Sequence, residues 1–234
     1  MLHTVLFDLD GTLLPMDQDV FIGAYFKGLS AAAAPRGYEP QSLIKAVWTG
    51  TMSMIKNDGS VLNEEAFWRT FAQIYGQEAL KDKDIFDRYY ETGFPKVAEA
   101  CGYTPRAKET VEKLKQMGLR LVLATNPIFP AVATRERIRW AGLQEGDFEL
   151  VTTYENCRYT KPNPAYYQDI LERLGLNAEG CLMVGNDAVE DTAAARLGMD
   201  VFLLTDCLIN KGTDISAYPQ GSFDELMAYI ENKR

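Results

Sequence analysis

A chain of 234 residues, 47% of them hydrophobic, can bury one large core or one core with a smaller satellite. Its net charge of −9 argues against non-specific nucleic-acid binding, which wants a basic face, and no apolar run approaches the roughly 20 residues needed to span a bilayer. A basic segment followed by a long apolar stretch is absent from the N-terminus, so no secretory signal and a cytoplasmic setting are expected. Cys101, Cys157, Cys181 and Cys207 lack metal-ligand spacing and read as reduced thiols. With His3 as the one histidine, acid-base chemistry must fall to a carboxylate, a lysine or a tyrosine.

The first element is a short apolar run, Thr4–Phe7, bounded at once by Asp8-Leu9-Asp10-Gly11-Thr12. It reads as a buried strand that ends in a turn. Period two along an extended chain points Asp8 and Asp10 to the same side, and Gly11 lets the backbone turn just beyond them. Two carboxylates so placed repel unless a cation sits between them, and Mg²⁺ is the natural candidate.

From residue 17 to residue 101 the pattern is helical. Apolar residues recur at Phe21, Tyr25 and Leu29, then at Leu43, Val47 and Trp48, then at Phe67, Phe71, Ile74 and Tyr75. Asn63-Glu64-Glu65 reads as an N-cap with an acidic first turn, and Gly76 as the matching stop. A fourth segment covers 84–91, and Pro95 opens a last short turn that ends at Gly102. Most of these aromatics are expected in the core of a small helical bundle.

Beyond Thr104 the texture becomes strand–helix–strand. Helices are expected at 105–117, 130–140, 163–174, 188–197 and 223–232, and strands at 119–124, 148–152, 181–184 and 201–204. This alternation predicts an α/β fold: a doubly wound parallel sheet, Rossmann-like, with an all-helical block inserted after its first strand. The expected division is a core of residues 1–15 and 103–234 and a helical cap of residues 16–102.

Ligands of such a sheet bind beyond the carboxyl ends of the strands. Four polar clusters fall there: Asp8-Leu9-Asp10, then Thr125-Asn126, then Lys161-Pro162, then Gly185-Asn186-Asp187 with Glu190-Asp191. Taken singly, Thr125-Asn126 fits a helix cap, Lys161 a solvated loop, and Asp187 and Asp191 the start of a helix. Their joint arrival at one sheet edge argues for a site.

In that order the four clusters resemble the signature motifs of the haloacid dehalogenase superfamily, in its helical-cap, phosphoglycolate phosphatase-like branch. The resemblance implies Mg²⁺-dependent phosphoryl transfer from a small phosphorylated metabolite through an aspartyl-phosphate. Asp8 would be the nucleophile, and Asp10 the general acid and then the general base. Thr125, Asn126 and Lys161 would hold the phosphoryl group, and Asp8, Asp10 and Asp187 the metal. Many relatives carry Gly-Asp where this chain has Gly185-Asn186-Asp187. Counted from Gly185, Asn186 takes the position of the first acid; a shift by one gives it to Asp187, with Asp191 one helical turn on. A carboxylate is the better Mg²⁺ ligand, so Asp187 is expected to bind and Asn186 or Asp191 to support it.

Asp10 argues against dehalogenation, where no leaving oxygen needs a proton. It leaves a sugar phosphomutase as an alternative to a phosphatase, and a non-catalytic relative as a third. The complete set of Asp8, Asp10, Thr125, Lys161 and Asp187 speaks against the last. Phe21, Tyr25, Trp48 and Lys56 are the candidates in the cap to close over substrate, with most of them expected in the bundle core. Residues 15–17 and 102–105 would be the hinges.

Overall fold

The structure, a computed structural model, describes residues 1–233. Strand β1 (Thr4–Phe7) is buried along its whole length because it lies inside a parallel sheet covered on both faces. Strands β2 (Arg120–Leu123) and β4 (Cys181–Gly185) flank it, with Phe7 opposite both Leu123 and Val184. Strand β3 (Leu150–Val151) extends one side, and β5 (Asp200–Leu204) and β6 (Gln220–Gly221) the other, so the order is β3-β2-β1-β4-β5-β6. The chain winds outward from β1 in one direction and then returns to wind outward in the other. That reversal leaves a crevice at the carboxyl ends of β1 and β4. The sixth strand was not expected; two residues ending in glycine carry no hydrophobic period to read.

Alternation along the strands sends side chains to two cores. Val5, Phe7, Leu121 and Leu123 face α5 (Pro105–Gln116), α6 (Ala131–Trp140) and α8 (Phe223–Lys233). Leu6, Val122, Met183 and Val201 face Tyr166, Tyr167 and Ile170 of α7 (Pro164–Leu174). Thr104 accepts a hydrogen bond from the Arg106 amide and Pro105 opens the first turn, which is why α5 starts there.

Between β1 and β2 lie α1 (Gln18–Ala33), α2 (Pro40–Ile55), α3 (Asn63–Tyr75) and α4 (Lys83–Thr92), followed by a 3-10 segment at Phe94–Ala100. Asp17 caps α1 by accepting from the amides of Asp19 and Val20, and Glu39 caps α2 in the same way. Phe21, Tyr25, Phe71, Phe86, Tyr89 and Phe94 are buried among these helices, and the Tyr25 and Tyr90 hydroxyls share a hydrogen bond of 2.8 Å. Trp48 and Ile74 are half-exposed instead. The two chain crossings into this helical block run side by side: Met16 bridges Cys101, and the Gly102 amide donates to the Pro15 carbonyl at 2.7 Å.

Two local expectations fail for physical reasons. Asn63 is the first residue of α3 rather than its cap, and it is fully buried. Its amide Nδ2 donates to the carbonyls of Pro127 and Tyr159, and the backbone amides of Asn63 and Glu64 donate to the carbonyls of Cys157 and Tyr154. The loop after β3 therefore takes the orphan donors of the helix that a side-chain cap would otherwise take. The expected helix at 188–197 is a turn followed by a 3-10 segment, Thr192–Leu197. The Asp191 carboxylate folds back onto the amides of Asn186 and Asp187, which holds that stretch out of α-helical geometry. Among the described residues no helix is long and apolar enough to cross a membrane, and none of the four cysteines is paired.

Candidate active site

Asp8 is the first residue beyond β1, and its amide donates to the Val184 carbonyl at 2.9 Å, which fixes it against β4. Lys161 lies fully buried beneath it, with Nζ 2.8 Å from Asp8 Oδ1 and 2.7 Å from Asp191 Oδ1. Burial pushes the Asp8 carboxyl up to about 7; Lys161 opposes that, while Asp191 and Asp10 add to it. Burial also disfavours the charge on Lys161, but Asp191 and Asp8 outweigh it and hold the ammonium well above the usual lysine range.

The turn after Asp8 needs its glycine. Gly11 adopts φ +83°, and a Cβ there would sit 2.3 Å from Nδ2 of Asn186. One residue on, the Thr12 hydroxyl donates to Asn186 Oδ1 at 2.9 Å and lies 3.4 Å from Asp8 Oδ2. The Asn186 amide nitrogen donates to the Cys207 carbonyl at 2.7 Å, so this side chain is clamped at both ends next to Asp8.

Asp10 pairs through Oδ2 with Nη1 of Arg137, whose side chain is buried and whose guanidinium lies 4.5 Å from the Phe129 ring centre. Its other oxygen, Oδ1, is buried with no partner. Burial raises the Asp10 carboxyl above the usual carboxylate range, against the pull of Arg137 and Lys161.

Thr125 is buried, and its carbonyl accepts from the hydroxyls of Thr152 at 2.7 Å and Tyr166 at 2.9 Å, which anchors the end of β2. The Asn126 side chain accepts from the Lys161 amide and donates to both oxygens of Glu190 at 3.0 Å. Burial, reinforced by Asp191, Asp187 and Asp8 and opposed by Lys161, raises the Glu190 carboxyl to about 8.

The fourth cluster divides its acids. Asp191 Oδ2 accepts from the amides of Asn186 and Asp187 at 2.9 Å, and Oδ1 faces Lys161. This close return depends on Gly185, where a Cβ would lie 2.0 Å from Asp191 Oδ2. Asp187 Oδ1 accepts from the amides of Val189 and Glu190, closing a turn of its own. Asn186 is thus the residue coupled through Thr12 to Asp8, whereas Asp187 stands at the cleft wall with one oxygen engaged in the turn.

Seven of the eight expected site residues line one cleft of about 260 Å³, and the eighth, Lys161, supports its floor through Asp8 and Asp191. Of the four expected cap residues, Phe21 and Trp48 line this cleft and Tyr25 lines an adjoining cavity. Lys56 is exposed and outside the walls given by these two sets of residues. Thr12 and Arg137 were not foreseen as site residues, and Glu190, a member of the fourth cluster, was given no role. Arg137 did carry a signal, since Ala133, Thr134, Arg137, Ile138 and Ala141 share one helical face and all are buried. Arg137→Met and Asp10→Asn should couple by about 1–3 kcal/mol in a double-mutant cycle read by urea denaturation. A coupling below about 0.5 kcal/mol would show that the pair does not act as one unit.

A model of the haloacid dehalogenase-like hydrolase family matches residues 2–198. The chain belongs to the haloacid dehalogenase-like hydrolase family. The phosphoglycolate phosphatase of Pectobacterium atrosepticum is 30% identical over 193 residues, which cover 82% of this chain and 75% of that one. The crystal structure of a 2-haloacid dehalogenase from Pseudomonas syringae pv. tomato superposes with a TM-score of 0.66 over 100% of both chains at 20% identity. That of a putative beta-phosphoglucomutase from Thermotoga maritima does so with a TM-score of 0.60 over 99% of both chains at 19% identity. At those identities the two structures share the fold of this hydrolase, and its chemistry has to be argued from its own cleft.

Proposed function

We propose that this hydrolase is a Mg²⁺-dependent phosphatase of small phosphomonoesters that works through an aspartyl-phosphate on Asp8. The observation that carries this reading is the division of labour between two neighbouring carboxyls. Asp8, in the cleft wall, has one oxygen on a buried lysine and the other 3.4 Å from the Thr12 hydroxyl, and Asp10 has one oxygen on a buried arginine and the other unpartnered.

The donor set suits a small hard cation. Asp8, Asp10, Asp187, Glu190 and Asp191 share the cleft walls, and the unpartnered Asp10 Oδ1 is an oxygen donor in want of a partner. Among the described residues no group of three or more Asp, Glu, His or Cys side chains forms a ready-made cage. Mg²⁺ does not require one, because it is commonly held by one or two carboxylates together with water and substrate phosphate oxygens. Asp8 and Asp10 would hold it, with Asn186 or Asp187 from the fourth cluster. When bound, it would reduce the repulsion between these carboxylates and the phosphate dianion.

The chain's own groups account for the remaining steps. Lys161 holds Asp8 Oδ1, which aims the second oxygen at phosphorus. Attack forms the Asp8–phosphorus bond and breaks the bond to the leaving oxygen, which takes a proton from Asp10. Asp10 then accepts a proton from the water that cleaves the aspartyl-phosphate, releasing phosphate. The Arg137 contact keeps Asp10 in one rotamer through both transfers. Thr125, anchored at the end of β2, would donate to a phosphoryl oxygen, and Asn126 would do so in exchange for its contact with Glu190. Residues 16–102 would act as a cap over a core of residues 1–15 and 103–234, with closure at 15–17 and 102–105 gating turnover.

The cleft wall favours this reading over a sugar phosphomutase. The helical block's share of the wall is mostly apolar, with Met16, Phe21, Ile22 and Ile55, and Gln18, Trp48 and Thr51 are its members that carry a polar side-chain atom, few for the several hydroxyls of a sugar. The test is phosphate release from acetyl phosphate with Mg²⁺, repeated with excess chelator. Steady release that disappears on chelation is expected; no release with Mg²⁺, or release indifferent to the chelator, would sink the proposal.

A further inference from the structure

From the walls of the cleft we infer that the ester group beside the phosphate is uncharged and apolar, with a ring-sized body, and carries no carboxylate. This rests on the phosphatase reading and specifies its substrate class. The first support is charge. The cleft is lined by five acids and by no lysine or arginine, and the two buried cations beneath it, Lys161 and Arg137, are already engaged with Asp8, Asp191 and Asp10. A leaving group with a carboxylate, such as glycolate, would bring a further negative charge into a space with no lysine or arginine of its own, where the proposed Mg²⁺ already faces the carboxylates and the phosphate. Cations of the helical block lie elsewhere. Lys27, Arg36, Arg88 and Lys96 line a separate groove between α1 and α4, and Lys83 pairs with Glu64.

The second support is shape. The cleft shares Ile22, Trp48, Thr51, Ile128 and Phe129 with an adjoining aromatic cavity of about 90 Å³ that reaches Tyr25 and Trp68. Thr51, the polar member of that shared wall, donates its hydroxyl to the Val47 carbonyl at 3.0 Å. The third support is exposure. Trp48, Met52 and Ile55 recur at helical spacing on α2 and stay 44%, 42% and 38% exposed, and Trp48 and Ile55 belong to the cleft wall itself. Large apolar side chains left open beside a reactive centre mark a surface that a ligand covers.

The test compares benzyl phosphate with 2-phosphoglycolate, using the full chain with Mg²⁺. Both are esters of primary alcohols, so the comparison reads the body of the leaving group. Benzyl phosphate should be preferred in kcat/KM by about tenfold or more, the scale expected for burying an aromatic ring. Trp48→Ala should remove most of that preference through KM. Ile55→Arg, at an exposed position, should shift the ratio toward 2-phosphoglycolate by supplying the missing cation. Equal or better use of 2-phosphoglycolate by the parent chain overturns the inference alone, as does a preference that Trp48→Ala leaves intact. Cleavage of acetyl phosphate with neither ester turned over also overturns it while the phosphatase reading stands. Failure on all three compounds overturns both.

Discussion

Asp8→Asn should abolish turnover, by at least about 10³-fold, while leaving the chain as stable as the parent or more so. The activity loss follows from replacing the proposed carboxylate nucleophile with an amide that could not form the acyl-phosphate. The stability expectation comes from counting buried charge. Three carboxylates, Asp8, Asp10 and Asp191, face two cations, Lys161 and Arg137, and burial already drives Asp8 toward its neutral form. Asparagine keeps an oxygen for Lys161 and removes the surplus negative charge. Urea denaturation in chelator should therefore give an unfolding free energy no lower than the parent value. A loss greater than about 1 kcal/mol would mean that Asp8 stabilises the fold it is expected to burden.

Lys161→Met, by contrast, should damage both properties. The methionine fills a similar volume, but three carboxylates are then left facing one cation, and Asp191 loses the ammonium that pairs with Oδ1. Breaking a buried pair from one side costs about 3–5 kcal/mol, and the same denaturation experiment should show a loss of that size. Turnover should fall by about 10²–10³-fold, the effect of removing one preorganised donor to a reacting oxyanion. If stability were unchanged, the contacts to Asp8 and Asp191 would not be the reason this lysine is buried. The opposite stability effects expected of Asp8→Asn and Lys161→Met separate catalytic cost from structural support within one ion cluster.

The sheet and the gathering of its polar ends were legible because hydrophobic runs of four or five residues, each followed by a polar cluster, leave few alternatives. Asp8, Thr125, Lys161 and Asn186 could be expected at one edge from strand order alone. The pairings among them could not, since they depend on side-chain reach across the sheet. Asp191 reads as a helix acid one turn from Asp187, yet it folds back onto the two amides before it and onto Lys161. Arg137 sits in the charged run Arg135-Glu136-Arg137-Ile138-Arg139, where its place on the buried face of α6 sets it apart from the other two arginines, but its contacts with Phe129 and Asp10 had no mark in the sequence. Asn63 has the residue type and position of a cap, and was misread because the acceptors that receive its helix's donors lie about 90 residues away in sequence.

The contacts behind that misreading bear on how the proposed cap would close. The start of α3 grips the carbonyls of Tyr154, Cys157 and Tyr159, and Arg158 reaches back to the carbonyls of Gly59 and Ser60. The helical block is thus moored at a third point besides its two chain crossings. The mooring line is the loop whose next residues are Thr160 and Lys161. Any swing of the helices over the cleft must either slip this mooring or tug on the segment that carries the lysine. On the proposed closure, opening and closing would be geared mechanically to the aim of the Asp8 carboxylate.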